Sequence, residues 1–476
     1  MLAKYGYSIK TASLIIPGHL SFIYRAIKRG LFYLLFDLTA PQNISKPIQQ
    51  FSASKVLSCI TFPSVLICIC LFIGGCLDSG KNNLPSLTNT ETVQAGVRSV
   101  IEKANYELTR PHSKLITINR DQSFGSLEYV SLATYWWPNP ETENGLPYVR
   151  RDGRVNPESM SDLSNLPQLI RMARRIEILS AAYRFTGNEI YADRAVEQLR
   201  VWFINPETAM LPHLEHAQMI RGLDSGRSYG VIDAWWLVRV VDSFSLLNRS
   251  QAWCQETDRK LKVWFTHYVN WLINSLHGKT EKAQNNNHGT WFDVQIVTFT
   301  QYIGWDQFVI QYLDTVSRRR ISEQILFSGR QKFEASRTRP EHYSIYNLYG
   351  LLRLARIARE HGMDISEPDF LFSGSLHDAY SVLIDRVGQR NPASFTEKFD
   401  ETDTARIWYL LLLEAILLFD EPSAYRNLDG YISRFPELHS RFMSANPEIF
   451  LHLIKQTENS YASTASSSNI PSSLLR

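Results

Sequence analysis

The run Asn285–Trp291, NNNHGTW, joins amide side chains to a histidine immediately before an apolar segment. Asparagine is a poor residue inside a helix but a good N-cap, so we expect a helix to begin just after the run, at Trp291. Backbone N–H groups and the helix dipole at such an end attract negative groups. Asn287 and His288 could therefore bind a carboxylate, unless the run is only a cap with a surface histidine.

The run Arg337–Tyr346, RTRPEHYSIY, brings arginines and tyrosines together before another helical segment. Tyr343 and Tyr346 are three residues apart and would share one helix face. An arginine beside a tyrosine favours the phenolate and lowers the phenol pKa from its ordinary value near about 10, which suits proton transfer. Arg337 and Arg339 are both candidates for that arginine. The alternative is a basic helix start in which both tyrosines only pack.

A long segment rich in Pro, Gly and Asn, Tyr135–Glu158, carries two adjacent tryptophans and clustered arginines. Long loops of this kind in a compact domain are often functional. The prolines that follow the tryptophans disfavour a helix, so Trp136 and Trp137 could form a rigid platform for a sugar ring. We predict substrate contacts for both and for Arg150 and Arg151; a solvated basic turn is the alternative.

The polar segment between two predicted helices, residues 213–230, includes two histidines three residues apart. With Glu215 they could suggest a metal site, but no convincing further ligand accompanies them. We therefore predict no metal and no cofactor. Hydrogen bonding to a polar substrate suits the segment better than metal binding, although it could also be a solvated connection. The predicted substrate contacts are His216, Gln218, Arg221 and Arg227.

Amphipathic segments with apolar residues at three-to-four spacing must position these motifs. Period-two alternation is scarce, and no repeat of fixed period is found. We predict an all-α fold, an incomplete α/α toroid of stacked helix hairpins, over residues 93–455. The predicted helices are Val93–Leu108, Leu166–Phe185, Ile190–Phe203, Ile232–Leu247, Gln251–Leu276, Tyr346–His361 (with Gly362 as its cap) and Thr404–Phe419.

The first 76 of the 476 residues differ from the rest in charge and in cysteine content. They carry seven of the 50 basic residues, one acid and four of the five cysteines, while the remainder is slightly acidic. The basic balance therefore gives no reason to expect a nucleic-acid partner. The oligomeric state is left open by the sequence.

The uncharged run Val56–Leu77 is long enough to cross a bilayer, which takes about 20 apolar residues. It ends in Ile-Gly-Gly-Cys, similar to a bacterial lipoprotein box with Cys76 as the lipid-bearing residue; a signal anchor or a signal peptide cut elsewhere is the alternative. We predict a targeting segment at 1–76, a polar tether at 77–92 and a Ser-rich disordered tail at 456–476. The expected location is exported, periplasmic or at the cell surface, with membrane contact through this segment only.

Together these motifs resemble segments of the alginate lyase superfamily, in family order over roughly residues 95–365. The matching segments are Tyr135–Glu158, Leu223–Asp233, Asn286–Trp291 and Arg337–Leu348. The resemblance implies an α/α toroid and cleavage of a 4-linked uronic-acid polysaccharide by β-elimination, with Asn287 and His288 in the site. It leaves the Arg and Tyr open: Arg339 with Tyr346 matches the mannuronate-specific branch, which we favour slightly, and Arg337 with Tyr343 matches glucuronan lyases.

Residue chemistry agrees with the implied reaction, because removing a proton next to a carboxylate builds charge that fixed donors stabilise. Asn287, an arginine and the helix N-terminus are suitable donors, and a tyrosine or His288 is a suitable base. Two alternatives remain, a glycan-binding protein without activity and a glycoside hydrolase. A hydrolase needs two carboxylates flanking the bond, and among Glu215, Asp224 and Asp233 no pair stands out. Alginate (mannuronan) and glucuronan are not separated by these motifs.

Overall fold

Helices joined by short connections make up most of the chain that a computed structural model describes, residues 90–118, 124–370, 373–388 and 401–420, with 424–425 and 427–428. In chain order the helices are α1 (Thr90–Leu108), α2 (Leu166–Thr186), α3 (Glu189–Phe203), α4 (Trp235–Asp242), α5 (Phe244–Leu247), α6 (Gln255–Asn274), α7 (Leu276–Lys282), α8 (Asn287–Ile303), α9 (Asp306–Tyr312), α10 (Arg318–Gln324), α11 (Pro340–Glu360), α12 (Leu376–Gly388) and α13 (Glu401–Phe419). The all-α prediction of stacked helix hairpins in a toroid is confirmed.

The hairpin of α2 and α3 shows how the sequence sets these connections. Gly187 ends α2 in the left-handed region, with φ of 66°, and its N–H bonds the Tyr183 carbonyl. Glycine adopts that conformation without a Cβ penalty. The next residue, Asn188, caps α3 because its side chain accepts the Ile190 N–H. A C-cap and an N-cap on adjacent residues therefore reverse the chain within two positions.

Helix α8 is the centre of the packing. Its residues from Gly289 to Thr300 are all buried, and the helix contacts α4, α6, α7 and α11. Helix α11 packs in turn against α13. At the crossing of α8 and α11, a Cβ on Gly350 would lie 2.9 Å from the Thr290 methyl group, so glycine lets the two helices approach closely. The polar start of α8 is thereby fixed in space by an apolar helix enclosed by its neighbours.

Four short strands lie beside the helices. Strand β1 (Val130–Leu132) is parallel to β4 (His216–Met219), and β2 (Trp136–Trp137) is antiparallel to β3 (Val149–Arg150). The tryptophan pair is therefore in a short hairpin, where Trp136 faces Arg150 across the ladder. The sequence indicated a loop there, because two-residue strands are too short to produce a period-two pattern.

Two predicted helices are broken in the structure, and their boundaries were wrong. The predicted helix 232–247 consists of a 3₁₀ turn (Ser228–Ala234) followed by α4 and α5. The predicted helix 251–276 ends at Asn274, because Ser275 is extended, with ψ of 157°, and its hydroxyl accepts the Gly278 N–H at the start of α7. Apolar periodicity continues across both breaks, so the pattern alone could not reveal them.

The targeting segment at 1–76 with Cys76, most of the tether at 77–92 and the tail at 456–476 lie outside the described residues and stay predictions. The tether is shorter than we expected at its C-terminal end, because α1 already begins at Thr90. Within the ranges that the structure describes, no helix combines the length and the apolar character needed to cross a bilayer.

A buried carboxylate joins three helices. Glu177 on α2 accepts hydrogen bonds from Arg239 Nε on α4 at 2.7 Å and from Arg406 Nη2 on α13 at 2.9 Å. All three side chains are nearly inaccessible to water. Breaking a buried ion pair by removing one partner is costly, because a buried charge is left uncompensated.

Glu177→Ala is therefore expected to lower the free energy of unfolding by about 3–5 kcal/mol, measured by urea denaturation. Glu256→Ala, which removes an exposed carboxylate paired with Arg259 on α6, is the control and should change stability little. A loss below about 1 kcal/mol for Glu177→Ala would show that the network does not hold the three helices together.

Candidate active site

A cleft of about 620 Å³ opens where the starts of α8 and α11 meet the Ser228–Ala234 turn, the β2–β3 hairpin and the start of α13. The structure brings ten of the fourteen predicted site residues to its wall: Trp136, Arg150, Gln218, Arg227, Asn287, His288, Arg337, Arg339, Tyr343 and Tyr346. Residues that are up to 210 positions apart in the chain thus converge on one space.

Four predicted substrate contacts do not line this cleft. The Trp137 indole donates to the Arg154 carbonyl at 2.9 Å, and the Arg151 guanidinium lies 5.4 Å from the centre of the Trp137 ring. His216 Nδ1 bonds the Ser225 carbonyl at 2.9 Å. Arg221 donates to the Tyr148 hydroxyl at 2.8 Å. These four side chains contact other residues of the loops and are not part of the cleft lining, and substrate contact by them stays a prediction.

Helix α8 begins four residues earlier than we predicted. The Asn286 side chain is its N-cap and accepts the His288 N–H at 3.1 Å, so Asn287 and His288 lie in the first turn. A Cβ on Gly289 would lie 2.0 Å from the Gln284 carbonyl oxygen and 2.2 Å from an Arg320 nitrogen. Glycine is thus required beside the histidine, since any side chain would push the helix start out of place.

His288 is held by a carboxylate that the sequence analysis missed. Its Nδ1 lies 2.6 Å from Glu281 Oε1, and Glu281 on α7 is completely buried. An ionised carboxylate only accepts, so Nδ1 carries a hydrogen, and in the neutral imidazole Nε2 is then the acceptor. The Tyr229 ring meets the imidazole edge-on, with 4.8 Å between ring centres. The imidazole is therefore fixed in tautomer and in orientation at the cleft wall.

Asn287 also bonds a buried carboxylate. Glu334 is 1% exposed and accepts the Asn287 backbone N–H at 2.6 Å and its side-chain Nδ2 at 3.1 Å. Burial raises the pKa of Glu334, while the Asn287 donors and the Arg337 charge oppose that rise. The helix N-terminus, which we expected to attract the carboxylate of a substrate, is thus occupied by a carboxylate of the protein itself.

Arg337 and Tyr343 form one of the two candidate pairs. The Arg337 guanidinium carbon lies 3.9 Å from the centre of the Tyr343 ring, and the Tyr343 hydroxyl is 3.0 Å from the hydroxyl of Tyr135. Burial raises the pKa of Tyr343, the Tyr135 contact adds to the rise, and Arg337 opposes it. The arginine therefore favours the phenolate as predicted, but burial outweighs it in the free enzyme.

Tyr346, the tyrosine that the family spacing favoured, has different surroundings. Its ring stacks on Trp291 at 4.7 Å and meets Trp235 edge-on at 6.1 Å. Burial raises its pKa well above the ordinary value, and the charge of Asp233 adds to the rise. Arg339 lines the same cleft. The structure thus places Tyr346 in an aromatic stack and places Tyr343 against an arginine.

The cleft is lined by more arginines than carboxylates. Its lining includes five arginines, Arg150, Arg227, Arg337, Arg339 and Arg406, and one carboxylate, Asp233. Asp233 is buried and accepts hydrogen bonds from Tyr129, Ser131 and Gln218 at 3.1, 2.6 and 3.0 Å, so its charge is largely satisfied within the protein. Gln218 also accepts from Arg227 through both of its oxygens. Such a surface attracts anionic ligands.

Of the carboxylates considered for a hydrolase, only Asp233 reaches the cleft. Glu215 accepts the Trp271 indole N–H at 2.5 Å, and Asp224 accepts the Ile220 N–H at 2.8 Å. His213, considered with Glu215 for a metal, pairs with Glu128 at 3.4 Å. Among the residues that the structure describes, no group of three or more His, Cys, Asp and Glu forms a cluster that could hold a metal ion.

Several cleft contacts were not found from the sequence. Tyr135 and Tyr229 were inside the quoted motifs and could have been chosen for their hydroxyls. The sequence offered no reason to choose Glu281 or Glu334. Both carboxylates are important because they are buried and because they bond His288 and Asn287 on another helix. Arg406 lies on α13, 58 residues beyond Leu348 at the end of the last motif, and its position follows from packing alone.

Comparisons with known proteins agree with this geometry. The family model for alginate lyase matches residues 117–395. The chain is similar to the crystal structure of an alginate lyase from Bacteroides ovatus, with 30% identity, a TM-score of 0.66, and coverage of 72% of this chain and 90% of that chain. It is also similar to alginate lyase A1-III from Sphingomonas species A1, at 16% identity and a TM-score of 0.40 over 64% of this chain and 81% of that one. None of the curated proteins matches the chain.

A partly buried histidine at the cleft ties α11 to α13. His342 Nδ1 lies 2.8 Å from the Thr404 hydroxyl. Burial, with the nearby charges of Arg339 and Arg337, lowers the pKa of His342 to about 4. In the unfolded chain the pKa returns to about 6.5. Between these values the unfolded chain binds a proton that the folded protein does not, so stability is lost as the pH falls from about 6.5 towards 4.

His342→Gln should remove this loss. Between pH 7 and pH 5, we expect the free energy of unfolding of the parent protein to fall by about 1–2 kcal/mol more than that of His342→Gln. Urea denaturation at several pH values measures the difference. His267→Gln, at an exposed position on α6, is the control and should follow the parent. Parallel curves for the parent and His342→Gln would contradict the proton linkage.

Proposed function

Because the chain belongs to the alginate lyase family and is a polysaccharide lyase, we propose that it cleaves a 4-linked uronic-acid polysaccharide by β-elimination. The observation that carries this proposal is the convergence of His288, Tyr343 and Arg337 in a cleft lined by five arginines. A polymer with one carboxylate on each sugar matches that charge, because arginine forms strong charge-assisted hydrogen bonds to carboxylates. A neutral polysaccharide offers these arginines no negative group.

The reaction needs donors for the substrate carboxylate, a base for the C5 proton and an acid for the leaving oxygen. The C5–H bond breaks, its electron pair forms the C4=C5 double bond, and the C4–O bond breaks as the leaving oxygen takes up a proton. Charge builds on the substrate carboxylate as the C5 proton leaves, and arginine donors at that position lower the barrier. Arg337 is the donor nearest to Tyr343, and Arg227 is held in the wall by two bonds to Gln218.

Tyr343 is the residue that we propose transfers the proton. Arg337 against its ring favours the phenolate, and the Tyr135 hydroxyl at 3.0 Å can donate to the phenolate oxygen or pass on a proton. A phenolate that takes the C5 proton can return it to the leaving oxygen when both groups lie on the same face of the sugar. The Tyr346 ring instead contacts Trp291 and Trp235, and we assign it to packing in the aromatic wall.

His288 is the second proton-transfer group. Glu281 holds the hydrogen on Nδ1, so Nε2 is a hydrogen-bond acceptor without any rearrangement. This nitrogen would serve as the base for a sugar whose C5 proton lies on the face opposite the leaving oxygen. When the C5 proton and the leaving oxygen lie on the same face of the sugar, His288 instead holds the sugar beside Tyr343. The Glu281–His288 pair thereby resembles other carboxylate–imidazole pairs in which the carboxylate fixes the ring.

A panel of polysaccharides tests the function. Polymannuronate, polyguluronate, glucuronan and a neutral 4-linked glucan are incubated with the enzyme, and the ultraviolet absorbance of the conjugated C4=C5 carboxylate is followed. We expect the absorbance to rise with polymannuronate or glucuronan and not with the neutral glucan. New reducing ends without the absorbance would identify a hydrolase, and no release from any uronate polymer would contradict the proposal.

Comparing Tyr343→Phe with Tyr346→Phe tests the mechanism. Each substitution removes one hydroxyl and keeps the ring, so both variants should fold. For Tyr343→Phe we expect kcat to fall by about 10²–10⁴-fold, the usual effect of losing an acid–base group. For Tyr346→Phe we expect kcat within about tenfold of the parent, because stacking on Trp291 is retained. The reverse order would assign the reaction to Tyr346 and Arg339.

A further inference from the structure

The cleft continues from the tyrosines of α11 along a wall of aromatic rings. Tyr346 lies one helical turn after Tyr343, and its ring meets that of Trp235 with 6.1 Å between their centres. The Trp235 ring lies in turn 4.4 Å from that of Trp236, and both tryptophans line the cleft. Apolar side chains of α2 and α13 also belong to the lining: Leu166, Ile170 and Ile407.

Arg406 of α13 lies against this aromatic wall. Its guanidinium carbon is 4.7 Å from the centre of the Trp236 ring and 5.9 Å from that of Trp235. Arg406 lines the cleft although only 8% of its surface is exposed. Contact with aromatic faces stabilises a guanidinium and restricts its orientation. Because Trp235 contacts both Tyr346 and Arg406, its ring connects the catalytic motif to this cation.

A buried carboxylate holds Arg406 in place. Glu177 accepts from Arg406 Nη2 at 2.9 Å and also from Arg239 Nε at 2.7 Å, so one carboxylate faces two guanidinium groups. A guanidinium carries five N–H donors in one plane. Arg406 can therefore bond Glu177 through one edge and a ligand carboxylate in the cleft through another.

A uronate sugar matches this combination of an aromatic wall and a fixed guanidinium. Pockets of this kind bind a ligand through its apolar faces and orient it through a few polar groups, and a carboxylate accepts a paired hydrogen bond from arginine. Arg337 lies against Tyr343, whereas Arg406 lies against Trp236, so the two arginines belong to different parts of the cleft. Two carboxylates of one bound chain can then be recognised at the same time.

We propose that Arg406 is a specificity-determining residue that binds the carboxylate of a uronate other than the one that loses its C5 proton. This inference rests on the proposed function, since it assigns a contact to a uronate polysaccharide. The enzyme then recognises the charge of the chain at two places, at the site of elimination and beside Trp236. A chain too short to reach Arg406 reacts without this contact.

The dependence of the rate on chain length tests this subsite. Oligouronates from the trimer to the octamer, prepared from the polymer that the enzyme cleaves, are assayed by the ultraviolet absorbance of the unsaturated product. For the parent we expect kcat/KM to rise with length until the Arg406 subsite is filled. For Arg406→Met we expect kcat/KM of the long oligomers to fall by about 10- to 100-fold, the usual effect of losing a hydrogen bond to a charged group. The shortest oligomer that is cleaved should keep its kcat/KM within about twofold.

A matched variant separates loss of the subsite from a general loosening of α13. Arg406→Met leaves Glu177 bonded to Arg239, so the buried carboxylate keeps a counter-ion. Arg356→Met is the control, because Arg356 of α11 bonds Glu414 of α13 at 2.6 Å and is outside the cleft lining. It also breaks an ion pair to α13, so it should lower the melting temperature while keeping the length dependence of the parent.

An equal loss of kcat/KM at every chain length in Arg406→Met, or no loss at all, would overturn the assignment. If this variant does not fold, Arg406→Lys keeps a charge beside Glu177 without the planar fork, and the long oligomers alone should lose about tenfold. Absence of that selective loss overturns the assignment as well, and so does a parent whose kcat/KM is the same from the trimer to the octamer. A parent that gives no unsaturated product from any uronate polymer contradicts the proposed function instead.

Discussion

Two carboxylates buried beneath the first turn of α8 are the constraint on which the site depends. A charge without water around it is stable only when it is bonded, so Glu281 and Glu334 each require their partners, His288 and Asn287. Neither His288 nor Asn287 can then rotate its side chain without leaving a buried charge unbonded. The helix behind them is enclosed on all sides, which prevents the turn from shifting as a whole. Groups fixed in this way need no reorganisation when charge develops in a reaction.

The other parts of the cleft are placed by contacts to this fixed turn. Helix α11 crosses α8 closely at Gly350, and its first turn brings Tyr343 to the cleft. The β2–β3 hairpin follows Tyr135, whose hydroxyl meets that of Tyr343. Because Asp233 is satisfied by three donors, the arginines dominate the potential inside the cleft. Rigid geometry and an arginine-rich lining together suit the proposed function, in which the site selects an acidic chain and holds one sugar for proton transfer.

The sequence predicted most of the long helices, the family and the residues of the Asn-His and Arg-Tyr motifs that meet at the cleft, because periodicity, capping and local composition are properties of short segments. It could not separate Tyr343 from Tyr346, since residues three apart share a helix face and only the neighbouring chain shows which ring stacks on Trp291. Glu281 and Glu334 were missed for a similar reason: a carboxylate is recognised as buried only when its surroundings are known. Trp136 lines the cleft and Trp137 does not, because adjacent residues of a strand point to opposite sides.

The position of helix α13 shows that the cleft needs more of the chain than the segment that matches the family. The family match ends at residue 395, yet α13, which begins at Glu401, supplies Thr404 and Arg406 to the cleft wall and a counter-ion to Glu177. A protein shortened to the matched segment would lose one side of its binding surface while keeping every motif. Two enzymes with identical motifs can therefore have different cleft walls. Substitutions in this last helix could change substrate preference, and a comparison of the motifs would not detect them.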